Sequence, residues 1–169
     1  MEIRLEKWSP GDREELASVC NQADRSYLSD RMPYPYTVEN ADWWLNMVSD
    51  QEGKNGIFRS IRADGVIVGN ITVERKTDVY WRDGEIGYLL NRDQWSKGIM
   101  TRAVGEICRI AFEELDLLRI TGLVYAPNIA SRRVLEKNGF TLEGILRNGV
   151  TKGGKVYDLC VYGKLRSRS

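Results

Sequence analysis

The run from Glu85 to Tyr125 most constrains what this chain can fold into. Glu85-Ile86-Gly87-Tyr88-Leu89-Leu90 alternates as a strand does. Val104, Ile107, Cys108, Ala111, Phe112 and Leu115 then recur at spacings of three and four, one face of a helix. Ile120 to Tyr125 reads as the next strand. Strand, helix and strand in that order form a crossover unit, so the two strands are expected to be parallel neighbours. Between the first strand and the helix lies Trp95-Ser96-Lys97-Gly98-Ile99-Met100-Thr101-Arg102, a small-residue loop with one lysine. At such a junction unpaired main-chain N–H groups and the positive end of the helix dipole converge on an anion. The expected guest is a phosphate or pyrophosphate.

The rest of the chain arranges itself around that unit. Ile3 to Trp8 reads as a first strand, and Ser9-Pro10-Gly11-Asp12 opens a helix through about Ala23. The prolines of Arg31-Met32-Pro33-Tyr34-Pro35-Tyr36 exclude regular helix there. Thr37 caps a second helix carrying Ala41, Trp44, Leu45 and Val48. Gly56 to Arg62 and Val66 to Glu74 are strands joined at Asp64-Gly65, a hairpin signal. A helix from about Ile129 stops at Asn138-Gly139, and strands Thr141 to Arg147 and Val156 to Leu165 turn over near Lys152-Gly153-Gly154. The order β-α-α-β-β-β-α-β-α-β-β predicts an α/β fold with a mixed sheet, in a single domain spanning residues 1–169.

Composition excludes several classes of function. Lys+Arg 25 against Asp+Glu 24 leaves a net charge of +1, no footprint for a nucleic-acid partner. The basic tail Lys164-Leu165-Arg166-Ser167-Arg168 reads as a frayed, solvated end. No apolar run approaches about 18 residues, and the first residues are charged rather than signal-like, so no membrane partner and a cytoplasmic location are expected. Cys20, Cys108 and Cys160 are scattered without metal spacing and read as reduced core thiols. Histidine is absent, which removes the commonest general base and metal ligand and every His-dependent triad. Chemistry here must run on carboxylates, hydroxyls, main chain or water, with no metal expected.

Ligands of open α/β sheets gather beyond the carboxyl ends of the strands. Two junctions face that way: the Trp95–Thr101 loop, and Ala126-Pro127-Asn128-Ile129-Ala130-Ser131, which offers an amide and a hydroxyl one helical turn apart.

In these residues the chain resembles the GCN5-related N-acetyltransferases, which use acetyl-CoA. Trp95-Ser96-Lys97-Gly98-Ile99-Met100 lies over the family's acyl-CoA loop, Gln/Arg-x-x-Gly-x-Gly/Ala. Trp95 and Met100 depart from it in the manner of the ribosomal-protein N-terminal acetyltransferases (RimJ/RimL type). Asn128 through Phe140, Leu142-Glu143-Gly144, Tyr157-Asp158-Leu159 and Pro33-Tyr34-Pro35-Tyr36 are similar to the same subgroup.

The resemblance implies roles. The two parallel strands would splay apart, and the pantetheine arm would pair with main chain of Tyr88, Leu89 and Leu90. The N–H groups of Ser96, Lys97, Gly98, Ile99, Met100 and Thr101 would hold the pyrophosphate, Gly98 because a side chain would obstruct it. Lys97 is either a phosphate contact or a solvated loop lysine. Asn128 would bind pantetheine or an ordered water, or cap its helix, or both. Many members carry a tyrosine at the Leu135 position that protonates the departing thiolate; in this subgroup a serine at the Ser131 position is proposed to stabilise the sulfur. The alternative for Ser131 is a first-turn serine satisfying its own backbone. Glu85 is the candidate base, with a structural or substrate-orienting role as the alternative. Glu143 reads as a surface strand residue.

The acceptor side is expected in the early helices and final hairpin. Tyr27, Tyr34, Tyr36, Trp43 and Trp44 offer aromatic area there, and Asp30 or Asp42 a partner for a cationic amine. Apolar Val150 falls near an acidic base of some RimL-type enzymes, ahead of the final hairpin. The leading reading is transfer of acetyl from acetyl-CoA to a protein or peptide α-amine by direct attack. A small-molecule amine, or an acyl-CoA-binding module without turnover, are the alternatives. The resemblance also leaves room for a homodimer.

Overall fold

A computed structural model describes residues 1–167; Arg168 of the basic tail lies outside the described residues. The elements are β1 (Ile3–Lys7), α1 (Arg13–Gln22), α2 (Val38–Gln51), β2 (Gly56–Ala63), β3 (Val66–Arg75), β4 (Asp83–Leu90), α3 (Ile99–Glu114), β5 (Arg119–Tyr125), α4 (Ile129–Lys137), β6 (Thr141–Lys152) and β7 (Lys155–Leu165). The strands make one seven-stranded sheet in the order β1-β2-β3-β4-β5-β7-β6. Every neighbouring pair is antiparallel except β4 and β5, which are parallel as the crossover requires.

Helices cover both faces, which is why β2 is buried along nearly its whole length rather than on alternate residues. On one face α3 packs Ile99, Ala103, Val104, Ile107 and Ala111 against Ile57, Ile71, Val73 and Ile86. On the other, Leu16 and Val19 of α1 and Ala41, Leu45 and Val48 of α2 meet Trp8, Phe58 and Ile67. The hairpin between β2 and β3 turns through Asp64 (φ 49) and Gly65 (φ 84), the two left-handed residues a tight two-residue turn needs.

The parallel pairing is short. It runs from Asp83↔Arg119 to Ile86↔Gly122 and stops, although β4 stays paired with β3 to Leu90 and β5 with β7 to Tyr125. The carboxyl-terminal halves of β4 and β5 thus diverge and leave a wedge in the middle of the sheet.

Two boundaries differ from expectation. The first helix begins at Arg13 and is preceded by one 3-10 turn, Pro10–Asp12. The Asp12 carboxylate accepts from the Ser9 N–H at 3.0 Å and stabilises that tighter turn. β6 runs on to Lys152, so Val150 lies on it, paired with Tyr157. Bulges between Leu142 and Gly144 and between Leu146 and Val150 break the two-residue period by which a strand is read.

Residues 23–37 form neither helix nor strand and cross the carboxyl end of the sheet as a strap. Asp24 pairs with Arg92 beyond β4, the Leu28 carbonyl accepts from the Tyr125 hydroxyl at 3.1 Å, and Asp30 pairs with Lys152. Tyr27 packs against Tyr125 and Tyr157, with ring centroids 5.6 and 6.0 Å away.

Candidate active site

At the loop between β4 and α3 the backbone turns left-handed twice, at Ser96 (φ 64) and Gly98 (φ 77). A Cβ at Gly98 would meet no protein atom within 4 Å, and the left-handed backbone by itself favours glycine there. Gly98 caps α3 without a side chain, and its carbonyl takes the Arg102 N–H at 3.3 Å. The N–H groups of Ile99, Met100 and Thr101 precede the first intrahelical donor and are left for a ligand. Because the side chains of Ile99 and Met100 are buried in the core, what these residues offer is main chain. Exposed Lys97 lies beside them, its Nζ 3.5 Å from Gln94 Oε1.

The free edge of β4 follows from its pairing with β3. Asn91 donates to the Val68 carbonyl (2.8 Å) and Lys76 to the Asp83 carbonyl (2.9 Å), with an unbroken register between them. Residues of an antiparallel pair alternate in direction. The main-chain groups of Glu85, Gly87 and Leu89 therefore face β3, and those of Tyr88 and Leu90 face the wedge. The Trp95 indole N–H donates to the Leu90 carbonyl at 3.0 Å. Of the three residues expected to pair with a pantetheine arm, Tyr88 presents both its N–H and its carbonyl to the wedge. Leu90 presents its N–H, and Leu89 is turned toward β3.

Across the wedge stands the first turn of α4. The Asn128 carboxamide oxygen accepts from the Ser131 N–H at 3.3 Å and caps the helix. Ser131 Oγ lies 2.5 Å from the Tyr88 hydroxyl. Burial pushes the Tyr88 phenol up to about 12; the Ser131 bond works against that rise and Cys108 adds to it. Leu135 points into the core: it is 1% exposed, and a Cβ on Gly122 would stand 2.7 Å from its Cδ1. Gly122 thus lets α4 sit directly on the last residue pair of the β4–β5 seam.

On the opposite face a groove of about 710 Å³ runs between β3, β4 and the first two helices. Tyr36, Trp43, Trp44 and Met32 line its walls; Asn70, Thr72, Glu74, Glu85, Gly87, Tyr88 and Leu89 line its floor. Glu74 and Glu85 are direct cross-strand partners. Burial holds the Glu74 carboxyl above the usual carboxylate range, with Arg31 opposing and Glu85 reinforcing. Tyr27 belongs instead to the strap. The two acids expected to meet an amine have other partners: Asp42 pairs with Arg13 at 2.6 Å and Asp30 with Lys152.

Residues 2–141 match the family described as acetyltransferase (GNAT) domain. The chain belongs to the GNAT acetyltransferase family. YdaF of Bacillus subtilis (strain 168), whose name proposes a ribosomal N-acetyltransferase, is 37% identical over 172 residues, 97% of this chain and 91% of YdaF. Two solved structures share the fold. The ribosomal-protein-S5-alanine acetyltransferase from Vibrio fischeri superposes with a TM-score of 0.83 at 24% identity, over 96% of this chain and 91% of its own. The microcin C7 self-immunity acetyltransferase MccE, in complex with acetyl-CoA and AMP, gives 0.82 at 22% identity, over 98% and 93%.

GNAT membership makes the chain an acyl-CoA-dependent N-acetyltransferase, and the RimJ/RimL-like subgroup read from its motifs accords with YdaF. Within that family frame the structure brings Tyr88, Asn128 and Ser131 to the wedge and puts Glu85 on the opposite face. Sequence reasoning missed two groups: the Tyr88 hydroxyl, treated only as backbone, and Glu74. The register of β3 on β4 is the signal that would have found Glu74. Glu143 is an exposed strand residue paired with Arg119. The three cysteines are free and buried, and burial pushes the Cys20 and Cys108 thiols up to about 12.

Proposed function

We propose that this chain transfers the acetyl group of acetyl-CoA to the α-amine of a protein or peptide N-terminus. The observation that carries the reading is the groove of about 710 Å³ opposite α3 and α4, walled by the early helices and the strap and floored by residues of β4 that border the wedge. An extended chain end can lie in such a groove with its amine at the wedge. The pyrophosphate of acetyl-CoA would rest on the N–H groups that open α3, and its pantetheine arm along the free edge of Tyr88 and Leu90. Lys97 would add a cation at the phosphates, and Asn128 an amide N–H at the arm.

The chemistry is direct displacement. A neutral amine attacks the thioester carbonyl carbon, the C–N bond forms, the C–S bond breaks, and CoA leaves as thiolate. Glu85, on the groove floor, would take the amine proton directly or through water, with Glu74 opposite it. The buried thiols take no part.

A groove of about 710 Å³ with three aromatic side chains in its walls also suits a small amine. Release of free CoA thiol across a panel of N-terminal peptides and small amines decides between the two. Turnover confined to peptides, with the modified end located by mass spectrometry, supports the proposal; turnover with small amines alone overturns it. Silence toward every acceptor, with acetyl-CoA still bound, would point to a binding module instead.

A further inference from the structure

We infer that Tyr88 positions the hydroxyl of Ser131 as the hydrogen-bond donor that receives the departing CoA thiolate. The inference rests on acetyl-CoA occupying the wedge as proposed above, and it holds for whichever amine is the acceptor.

The geometry is specific. Tyr88 lies two residues past the last β4–β5 pair, and its hydroxyl reaches Ser131, in the first turn of α4, at 2.5 Å. The bond therefore spans the two arms of the wedge where the sheet has no main-chain bonds of its own. Two hydroxyls hold two protons, and one shared hydrogen bond uses one of them. The other remains for a third partner. With Tyr88 donating to Ser131 Oγ, the Ser131 proton is the free one, and the bond it accepts makes it a stronger donor. The reverse orientation would leave the free proton on a phenol held among core side chains.

Leu135 explains why a second residue is needed. It fills the space against Gly122 and offers no hydroxyl, whereas Tyr88 and Ser131 bring theirs together beside it. Acidity limits what they do. A phenol at about 12 cannot give its proton up to a thiolate whose thiol titrates near about 8.5. Tyr88 therefore stays neutral throughout. When the C–S bond breaks, its electron pair goes to sulfur, Ser131 donates a hydrogen bond to that sulfur, and water later supplies the proton. Tyr88 is a positioning residue, acting through Ser131.

The test reads the sulfur itself. Thiolate absorbance of CoA bound to the enzyme is titrated with pH in wild type, Tyr88→Phe, Ser131→Ala and the double variant. The bound thiol pKa should rise by about one unit in each single variant and no further in the double, because the two hydroxyls act as one donor. Turnover with the best acceptor should fall by about tenfold in step, with acetyl-CoA affinity unchanged. An unmoved thiol pKa in Tyr88→Phe, or additive shifts in the double variant, would overturn the inference. Should Tyr88→Phe fold poorly, a fluorinated tyrosine at position 88 replaces it; this stronger donor should lower the bound thiol pKa, and no change would again overturn the inference. The titration needs no acceptor, so a wrong acceptor leaves it readable, whereas failure of CoA to bind would overturn the functional reading beneath it.

Discussion

The Asn138 side-chain amide donates to the Thr101 carbonyl at 3.0 Å and to the Val134 carbonyl at 2.9 Å, fastening the end of α4 to the first turn of α3. The two helices are close enough that a Cβ on Gly105 would stand 2.9 Å from Asn138 Oδ1. The turn proposed to hold the pyrophosphate is thus fastened from behind by Asn138. Asn138→Ala should lower the melting temperature by roughly 3–6 °C, from the loss of about 1–2 kcal/mol of hydrogen bonding. It should also weaken acetyl-CoA binding. Thermal melts and isothermal titration read the two effects, and an unchanged melting temperature would remove Asn138 from this role.

Asn128 does two separable things in the proposed mechanism. Its oxygen caps α4, and its nitrogen would serve the pantetheine arm. Asn128→Asp keeps the cap and removes the donor. The variant should melt with wild type, while its KM for acetyl-CoA rises by about tenfold. Asn128→Ala should lose both. Equal KM values for wild type and Asn128→Asp would leave the residue as a cap alone.

Gly87 keeps the groove floor low between Glu85 and Leu89. A Cβ there would find Thr72 Oγ1 at 3.7 Å, an ordinary contact, so the fold accepts a side chain. Gly87→Leu should raise the KM for the amine by about tenfold to a hundredfold while CoA affinity stays the same. Steady-state kinetics with acceptor varied at saturating acetyl-CoA checks this. A rise in the acetyl-CoA KM instead would mean that the groove is not the acceptor's path.

The Glu74 carboxyl titrates above its ordinary range chiefly because of burial. A carboxyl raised in the folded state contributes stability that is complete below its unfolded value and is lost as pH rises through the folded one. Ionised Glu74 is therefore unfavourable at neutral pH, an effect damped by solvent because the residue is exposed overall. Glu74→Gln should raise the melting temperature at pH 7 and leave it unchanged near about pH 4. Melts of both proteins across that range test it; a shift of equal size at both ends would rule out ionisation as its source.

The crossover unit was legible because each of its parts is local: a period of two, a glycine turn, a period near four, and a second strand. The helix cap at Asn128 was legible for the same reason. The Tyr88–Ser131 bond was not, since it joins residues 43 apart and depends on where β5 leaves β4. The ion pairs of Asp30 and Asp42 were hidden likewise, their partners lying in Lys152 and Arg13. The strap has no period to read: its contacts from Asp24, Tyr27, Leu28 and Asp30 reach partners far along the chain, at Arg92, Tyr125, Tyr157 and Lys152.

The four residue pairs that join β4 to β5 are also a line of weakness. Every other junction in the sheet carries its ladder further, so heat or mechanical load should part the molecule there first, between the β1–β4 half and the β5–β7–β6 half. A pantetheine arm in the wedge would act as mortar along that joint. At a hundred times its Kd, acetyl-CoA would add about 2.7 kcal/mol to the folded state. Resistance to unfolding then rises and falls with the supply of the coenzyme that fills the wedge.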